Sequence, residues 1–202
     1  MIQYFERWVE TSGARAEALR LVVDEMKGLG DAVEIRPNSA PVTRNWLADA
    51  LRQPSTAQGN ALIAELVRTH RQLNWKPAPL EYVGEAFSSG FAFTQLFGQA
   101  HDVPNGVPFV SDKIAGGFSL QAPNLFYPPH YHKSAEFYGV LTGTARWQLG
   151  HSAPEAQPPG NYIFHDSNLP HAMKTDAEPL LCVWAWYGDL DAPIKFPSQK
   201  WL

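Results

Sequence analysis

Apolar side chains recur every three or four positions through the first 28 residues. This spacing is typical of one face of a helix, and Gly28 followed by Gly30 is typical of a helix end. The sequence therefore predicts a helix over residues 1–28. Gly13 is the position at which this helix could be interrupted. The apolar positions that carry this prediction are Ile2, Phe5, Val9, Leu19, Val22, Val23 and Met26.

Two more helices are predicted in the N-terminal part of the chain. The segments 43–52 and 56–73 each carry leucines and other apolar residues on one side. Pro77 and Pro79 then end the helical pattern, because proline lacks the N–H that a helix interior uses. The stretch 75–105 is too apolar for a flexible linker, so we expect the helices to pack on the rest of the protein.

From Phe87 onward, short aromatic and β-branched runs alternate with glycine, proline, asparagine and aspartate. Several short strands at such spacing favour an antiparallel sandwich or barrel. Gly143 suits a tight turn between two of them, since glycine tolerates positive φ. The polar, proline-rich segment 150–160 is predicted to be an exposed loop. The predicted strands are 109–110, 114–120, 125–132, 136–141, 144–149, 161–164, 171–174 and 181–187.

Charge and composition narrow the function classes. The 202 residues carry a formal net charge of −4, so the chain lacks a basic footprint and we expect no nucleic-acid partner. No apolar run approaches the ~20 residues that cross a bilayer, and the N-terminus lacks the basic and apolar regions of a signal peptide. Cys182 is the sole cysteine, which excludes an intrachain disulfide. We therefore expect a cytoplasmic protein with no membrane partner.

Candidate chemistry is concentrated between residues 127 and 143. His130 and His132 stand two positions apart, so in an extended strand both imidazoles project to the same face. Glu136 can reach the same point after a bend or from the next strand, and His171 is the expected fourth ligand. Such a set suits one divalent transition metal, Zn, Fe, Mn, Co or Ni, whose identity the sequence leaves open. Three histidines have no other ligand-type residues near them in the sequence, and we expect them to be solvated or capping residues. They are His70, His101 and His151.

The sequence contains two motifs, His130-x-His132-x₃-Glu136-x₆-Gly143 and Gly160-x₅-Asp166-x-Asn168-x₂-His171. They resemble the two motifs of the cupin superfamily. The resemblance implies a mainly β fold, with a C-terminal cupin barrel (a jelly-roll-like double-stranded β-helix) and an N-terminal α-helical extension. We expect residues 1–80 to form the extension, packed on the barrel, and residues 81–202 to form the barrel with the metal site.

The motifs depart from the family pattern mainly at turns. Asp166 replaces the usual proline and Asn168 the usual glycine, while Asn124 stands where the first motif customarily begins with glycine. Asparagine tolerates the left-handed conformation better than most residues. His165 is an alternative to His171 as the fourth ligand, but His171 keeps the two-residue gap after Asn168. Asp166 either orients a ligand histidine through its free ring nitrogen or caps the turn.

A closer resemblance lies within the cupin superfamily. The run that begins at Tyr127, Tyr-Pro-Pro-His-Tyr-His-Lys-Ser-Ala-Glu-Phe-Tyr, is similar to the metal site of cupin-type dimethylsulfoniopropionate (DMSP) lyases of the DddQ type. The helical part before the barrel is similar as well. The resemblance implies a carbon–sulfur lyase that cleaves DMSP, a small-molecule substrate, to dimethyl sulfide and acrylate by β-elimination. It leaves open whether the protein is a monomer or a homodimer.

Tyr138 is the residue that the resemblance implies as the catalytic base. On a strand it shares the face of Glu136, so its phenol would point at the metal, and a nearby divalent cation favours the phenolate. Packing or hydrogen bonding inside the barrel is the alternative role. Aromatic faces bind a sulfonium cation by cation–π attraction. Tyr127, Tyr131 and Trp186 are the substrate-binding candidates, with ordinary core packing as the alternative for each.

Two other functions are open at this point. An Fe(II)-dependent cupin dioxygenase acting on another small molecule would use the same four ligands, because open coordination positions bind either O₂ or substrate. A non-enzymatic, ligand-sensing cupin is the third hypothesis, although the helices contain no basic recognition helix. Dependence of the activity on O₂ would separate the dioxygenase from the lyase.

Overall fold

The first four helices follow the three predicted helical segments. The computed structural model describes residues 1–100 and 106–197. The segment 1–28 is divided into α1 (Ile2–Thr11) and α2 (Ala16–Lys27), and Gly13, with a φ of +56°, lies in the short 3₁₀ turn between them. Helices α3 (Pro41–Ala50) and α4 (Ala57–Thr69) confirm the other two predictions to within a few residues.

All eight predicted strands are present. Four further elements were not predicted: β1 (Trp75–Pro77), α5 (Leu80–Gly90), β2 (Phe91–Gly98) and β8 (Glu155–Gln157). Strand β8 corrects the expectation of a loop over residues 150–160, because its three residues pair with the edge of a sheet while staying largely exposed. Helix α5 is kinked at Gly84, which has a φ of +78°. The elements after α4 are β1 (Trp75–Pro77), α5 (Leu80–Gly90), β2 (Phe91–Gly98), β3 (Phe109–Val110), β4 (Ile114–Gln121), β5 (Phe126–His130), β6 (Ala135–Thr142), β7 (Ala145–Leu149), β8 (Glu155–Gln157), β9 (Tyr162–His165), β10 (His171–Thr175) and β11 (Leu180–Tyr187).

The strands form two sheets that enclose one apolar interior. The larger sheet has the order β1-β2-β4-β11-β6-β9, with β3 added to β2, and the smaller has the order β5-β10-β7-β8. Every strand pair is antiparallel except β2 with β3. Side chains of both sheets, among them Val140 and Met173, share one buried cluster. The chain therefore has the mainly β barrel with N-terminal helices that the motifs implied.

Strand β6 separates this interior from the helices. Its eight residues are all buried, and they alternate between two clusters. Phe137 and Leu141 belong to the cluster that holds the helical side chains, whereas Tyr138 and Val140 belong to the barrel interior. The alternation follows from the pleat, in which successive side chains point to opposite faces. It also sends Glu136 to the interior, on the same face as Tyr138.

Asparagine takes the place of glycine at two turns that shape the site. Asn124, before β5, has a φ of +54°, and Asn168, before β10, has a φ of +60°. Both values lie in the left-handed region, which asparagine tolerates better than most residues. The two departures from the cupin motifs therefore keep the expected turns, as does Gly143, with a φ of +76°, between β6 and β7.

Helix α1 docks on β6 through Trp8 and Gly139. The Trp8 indole lies directly over Gly139, in the space that a Cβ atom would occupy, and it stacks on Tyr162 with the ring centroids 5.3 Å apart. Gly139→Ala is expected to lower the free energy of unfolding by about 1–3 kcal/mol, because the added methyl group overpacks this contact. Urea denaturation of the full chain measures the change.

Gly30→Ala is the matched control for this substitution. Gly30 is exposed in the loop after α2 and has no neighbouring atom within 4 Å of the added methyl group. Its replacement should leave stability unchanged or raise it slightly, through the lower entropy of the unfolded chain. Equal effects of the two substitutions would contradict a tight contact between α1 and the sheet.

Candidate metal centre

The predicted ligands come from four neighbouring chain segments. His130 ends β5, His132 follows it, Glu136 is the second residue of β6, and His171 begins β10. Strands β5 and β10 pair so that His130 faces His171, and strands β6 and β9 pair so that Glu136 faces His165. The antiparallel register thus collects side chains that lie up to 41 positions apart in the sequence.

Three ligand atoms converge on one point inside the barrel. One ligand atom each of His132, Glu136 and His171 lies within 4.8 Å of the other two. The Glu136 Oε2 atom is 3.4 Å from His132 Nε2 and 3.5 Å from His171 Nε2. All three side chains are buried. Two imidazole nitrogens and one carboxylate oxygen form a donor set that Zn²⁺ and related divalent ions accept.

Backbone carbonyls orient the histidines toward this point. The Nδ1 atoms of His130, His132 and His171 each lie 2.8–2.9 Å from a carbonyl oxygen two residues away. A carbonyl only accepts, so each Nδ1 carries the proton and each Nε2 keeps a free lone pair. The Nε2 atoms of His132 and His171 are buried and have no hydrogen-bond partner. The carbonyl acceptors belong to Pro128, Ser134 and Leu169.

His130 lies beside this three-atom group. Its ring centroid is 4.1 Å from that of His171 and 6.3 Å from that of His132. The Tyr127 ring stacks on the His130 imidazole, with the ring centroids 3.9 Å apart. Burial lowers the pKa of His130 to about 3 and keeps the imidazole neutral. The neutral form is the one that binds a metal.

Glu136 carries a negative charge that no buried cation compensates. Burial alone would raise the pKa of its carboxyl, but the neighbouring imidazoles of His132 and His165, the latter hydrogen-bonded to the carboxylate, outweigh burial and lower the pKa to about 2. Among the described residues, no lysine or arginine side chain is buried. A buried carboxylate requires a partner charge. Together with the two unpartnered imidazole nitrogens, this charge fits a divalent cation.

The sequence did not identify His165 as a partner of Glu136. Its Nδ1 atom lies 2.7 Å from Glu136 Oε2, and its Nε2 atom accepts a hydrogen bond from Trp147 Nε1 at 2.9 Å. Both ring nitrogens are therefore engaged, which leaves His171 as the histidine that points a free nitrogen at the centre. Asp166 does not orient a ligand, because its exposed side chain pairs with Arg15 at 3.4 Å and its carbonyl accepts from the Leu169 N–H in the turn.

Tyr138 faces the interior two residues beyond Glu136, on the same side of β6. Its ring contacts Trp147 and His165, with centroids 5.1 and 5.6 Å apart. Burial, followed by the negative charge of Glu136, raises the pKa of the phenol well above 10, and a hydrogen bond with Ser119 acts in the opposite direction. Without an added positive charge, the phenol is therefore protonated at neutral pH.

The other aromatic candidates occupy different places. Tyr127 is buried and contacts the ring of His130. The Trp186 ring lies 4.3 Å from that of His132, and its Nε1–H donates to Glu136 Oε1 at 2.5 Å. Trp186 is thus a hydrogen-bond donor to a ligand candidate, a role that the sequence did not reveal.

Tyr131 lies between His130 and His132 and pairs with the segment after β11. Its backbone N–H and carbonyl form two 2.9 Å hydrogen bonds with Lys195. The side chains of Tyr131, His132 and Lys133 line a cavity of about 340 Å³ beside this segment. His132 is the ligand candidate that this cavity contacts.

His70 and His151 are not part of this group. His70 follows α4 and accepts a hydrogen bond from Trp75 Nε1 through its carbonyl, and His151 is exposed. His101 lies outside the described residues. None of the helices in residues 1–100 and 106–197 has the length and apolar character to cross a bilayer.

Comparison with known proteins identifies a consistent set of relatives. The model of the DMSP lyase family matches residues 15–182. The DMSP lyase DddQ of Ruegeria pomeroyi is 34% identical over 113 residues, 55% of this chain and 53% of that protein. A putative DMSP lyase, DddL of Cereibacter sphaeroides, is 29% identical over 186 residues, 91% of this chain and 73% of that protein. The sequence match thus spans about half the length of the first of these relatives.

The fold matches over a longer stretch than the sequence. The crystal structure of DddQ from Ruegeria pomeroyi superimposes with a TM-score of 0.76 at 25% identity, covering 98% of this chain and 99% of that chain. The match includes the N-terminal helices as well as the barrel. The architecture described above is therefore shared almost end to end with a solved relative.

Proposed function

The chain belongs to the DMSP lyase family, and we propose that it cleaves DMSP to dimethyl sulfide and acrylate at the centre formed by His130, His132, Glu136 and His171. The observation that carries the proposal is the pair of unpartnered Nε2 atoms beside an ionised, buried carboxylate. This arrangement supports a divalent transition metal held by those four side chains. When bound, the metal would supply positive charge to bind the substrate carboxylate and to favour carbanion-like charge beside it.

The reaction requires one proton transfer and one bond cleavage. A base removes the proton on the carbon next to the carboxylate, the electron pair forms the new carbon–carbon double bond, and the carbon–sulfur bond breaks with its electrons staying on sulfur. Dimethyl sulfide and acrylate leave, and the proton stays on the base. The electron pair of the broken carbon–hydrogen bond thus ends in the double bond, and that of the carbon–sulfur bond ends on sulfur. No external oxidant is needed.

Tyr138 is the proposed base. Its phenol is buried on the interior face of β6, two positions from Glu136, where packing against Trp147 and His165 fixes its direction. A base contributes only when held within hydrogen-bond reach of the proton it removes. The positive charges of the centre and of the sulfonium group would offset the burial that now keeps the phenol protonated.

Aromatic rings near the centre are the proposed site for the sulfonium head. The Tyr127 ring contacts His130, the Trp186 ring contacts His132, and Tyr131 lines the cavity beside His132. Each contact of a cation with an aromatic face is worth about 0.5–2 kcal/mol. Since Trp186 also donates to Glu136, it would link the substrate pocket to the ligand geometry.

A headspace assay tests this function directly. The purified full chain, stripped with a chelator and reloaded separately with Zn²⁺, Fe²⁺, Mn²⁺, Co²⁺ or Ni²⁺, is expected to release dimethyl sulfide from DMSP with at least one metal and to lose most activity when stripped. Gas chromatography measures the product, with acrylate quantified in parallel. Absence of dimethyl sulfide under every loading would remove the lyase hypothesis, and turnover that stops in O₂-free buffer would indicate the dioxygenase.

A further inference from the structure

His165 and Trp147 form a buried chain of hydrogen bonds that ends on Glu136. The chain joins the two sheets, since Trp147 lies on β7 in the smaller sheet and His165 ends β9 in the larger. Trp147 Nε1 is 2.9 Å from His165 Nε2, and His165 Nδ1 is 2.7 Å from Glu136 Oε2. All three side chains are almost completely buried. Water therefore does not compete for these hydrogen bonds.

The direction of each hydrogen bond follows from the first donor. An indole N–H can only donate, so His165 Nε2 must accept. An imidazolium ring would carry protons on both nitrogens and would set one N–H against another. His165 is therefore the neutral tautomer with its proton on Nδ1, and that proton can only be donated to Glu136. Trp147 thus fixes which form of His165 meets the carboxylate.

His165 acts on two of the proposed ligands at once. Its hydrogen bond holds Glu136 Oε2, while Trp186 holds Oε1 from the other side, so the carboxylate has one orientation. The His165 ring also stacks on that of His171, with centroids 3.7 Å apart and planes 19° apart. One side chain therefore sets both the carboxylate plane and the imidazole plane of the centre.

We propose that His165 is a positioning residue for the metal centre, held in the required tautomer by Trp147. This inference rests on the metal centre of the proposed function and assigns His165 no contact with metal or substrate. Its consequence is a higher affinity for the divalent ion, because the ligands need not be ordered when the ion binds. Hydrogen-bonded partners of metal ligands typically change metal affinity by about 10–100-fold.

Metal affinity of three variants tests the proposal. The metal-free full chain is titrated with Co²⁺ and with Zn²⁺, using a chromophoric competitor for the dissociation constant and the visible spectrum of bound Co²⁺ for the ligand geometry. His165→Leu removes both the hydrogen bond and the stacked ring, and should weaken binding by about 10–100-fold with an altered spectrum. His165→Asn keeps an N–H donor near the Nδ1 position and should recover part of the affinity.

Trp147→Phe tests the role of the His165 tautomer without replacing His165 itself. It removes the indole N–H and keeps an aromatic ring, so that His165 can also adopt the tautomer that turns a lone pair toward the carboxylate. We expect a smaller weakening of metal binding, of up to about tenfold. It also provides the test if His165→Leu does not fold. Thermal unfolding of the metal-free variants separates a general loss of stability from a loss of affinity.

The outcomes distinguish this inference from the proposed function. If the wild-type chain binds the metals and all three variants bind them as tightly, with lower melting temperatures at most, His165 is structural only and the inference fails. If the wild-type chain itself binds neither ion, the proposed metal centre fails and the inference with it. If the variants lose affinity as expected but the wild-type chain does not cleave DMSP, the positioning role stands and the substrate assignment is wrong.

Discussion

Tyr138→Phe is expected to lower kcat for DMSP cleavage by roughly 10²–10⁴-fold while leaving metal content and fold intact. The range is that of a positioned acid–base group. The substitution removes only the hydroxyl group, and the remaining ring can still pack against Trp147 and His165. Dimethyl sulfide release under saturating substrate gives kcat, and elemental analysis gives the metal content of the same sample.

Tyr162→Phe is the control for loss of a phenol. Tyr162 lies on β9 and stacks on Trp8 among the helices, outside the barrel interior. Its replacement should leave kcat near the wild-type value. If Tyr138→Phe also turns over normally, Tyr138 is not the base. Tyr127, whose buried phenol also has its pKa raised, first by burial and then by the charge of Glu136, would then be examined next.

The strands and their turns were predictable because local chemistry determines them. The motif asparagines are an example, since Asn124 and Asn168 adopt the positive φ that a glycine would take at those points. The alternation along β6 is another, because strand geometry alone sends Glu136 and Tyr138 to one face. These features depend on residues within a few positions of one another.

The elements between residues 75 and 98 were not predicted, because their local sequence does not decide their structure. The eight residues of β2 are mostly buried, without a strict alternation of apolar and polar side chains. Such a run resembles a buried helix as much as a strand. Hydrogen bonds with its partners, β4 and β1, make this run a strand. The sequence of β2 alone does not determine its register with them.

The same limit explains why His165 and Trp147 were missed as partners of the centre. They lie 29 and 11 positions from Glu136 in the sequence, on two different sheets. His165 was considered only as an alternative ligand, because the spacing of a motif gives no information on which nitrogen is already hydrogen-bonded. The contacts depend on the pairing of β6 with β9 and on the packing of the sheets against each other.

Glu136→Gln is expected to weaken metal binding on the order of 100-fold or more and to remove most DMSP cleavage. The carboxylate accepts one N–H on each oxygen, from His165 at 2.7 Å and from Trp186 at 2.5 Å. An amide has only one acceptor oxygen, so whichever way it turns, its NH₂ group meets one of these two donors. The substitution removes the negative charge and also disturbs the orientation of the side chain.

The metal-free variant should also be less stable, by about 1–3 kcal/mol for the donor left unpaired. The pKa of about 2 for Glu136 also predicts a loss of stability, because the folded protein favours the ionised carboxyl over a neutral side chain. Urea denaturation measures the change, and Glu178→Gln, at an exposed carboxylate, is the matched control. Wild-type Zn²⁺ affinity in Glu136→Gln would exclude Glu136 as a ligand. Wild-type stability with lost affinity would instead mean that the amide is accommodated and that charge alone holds the metal.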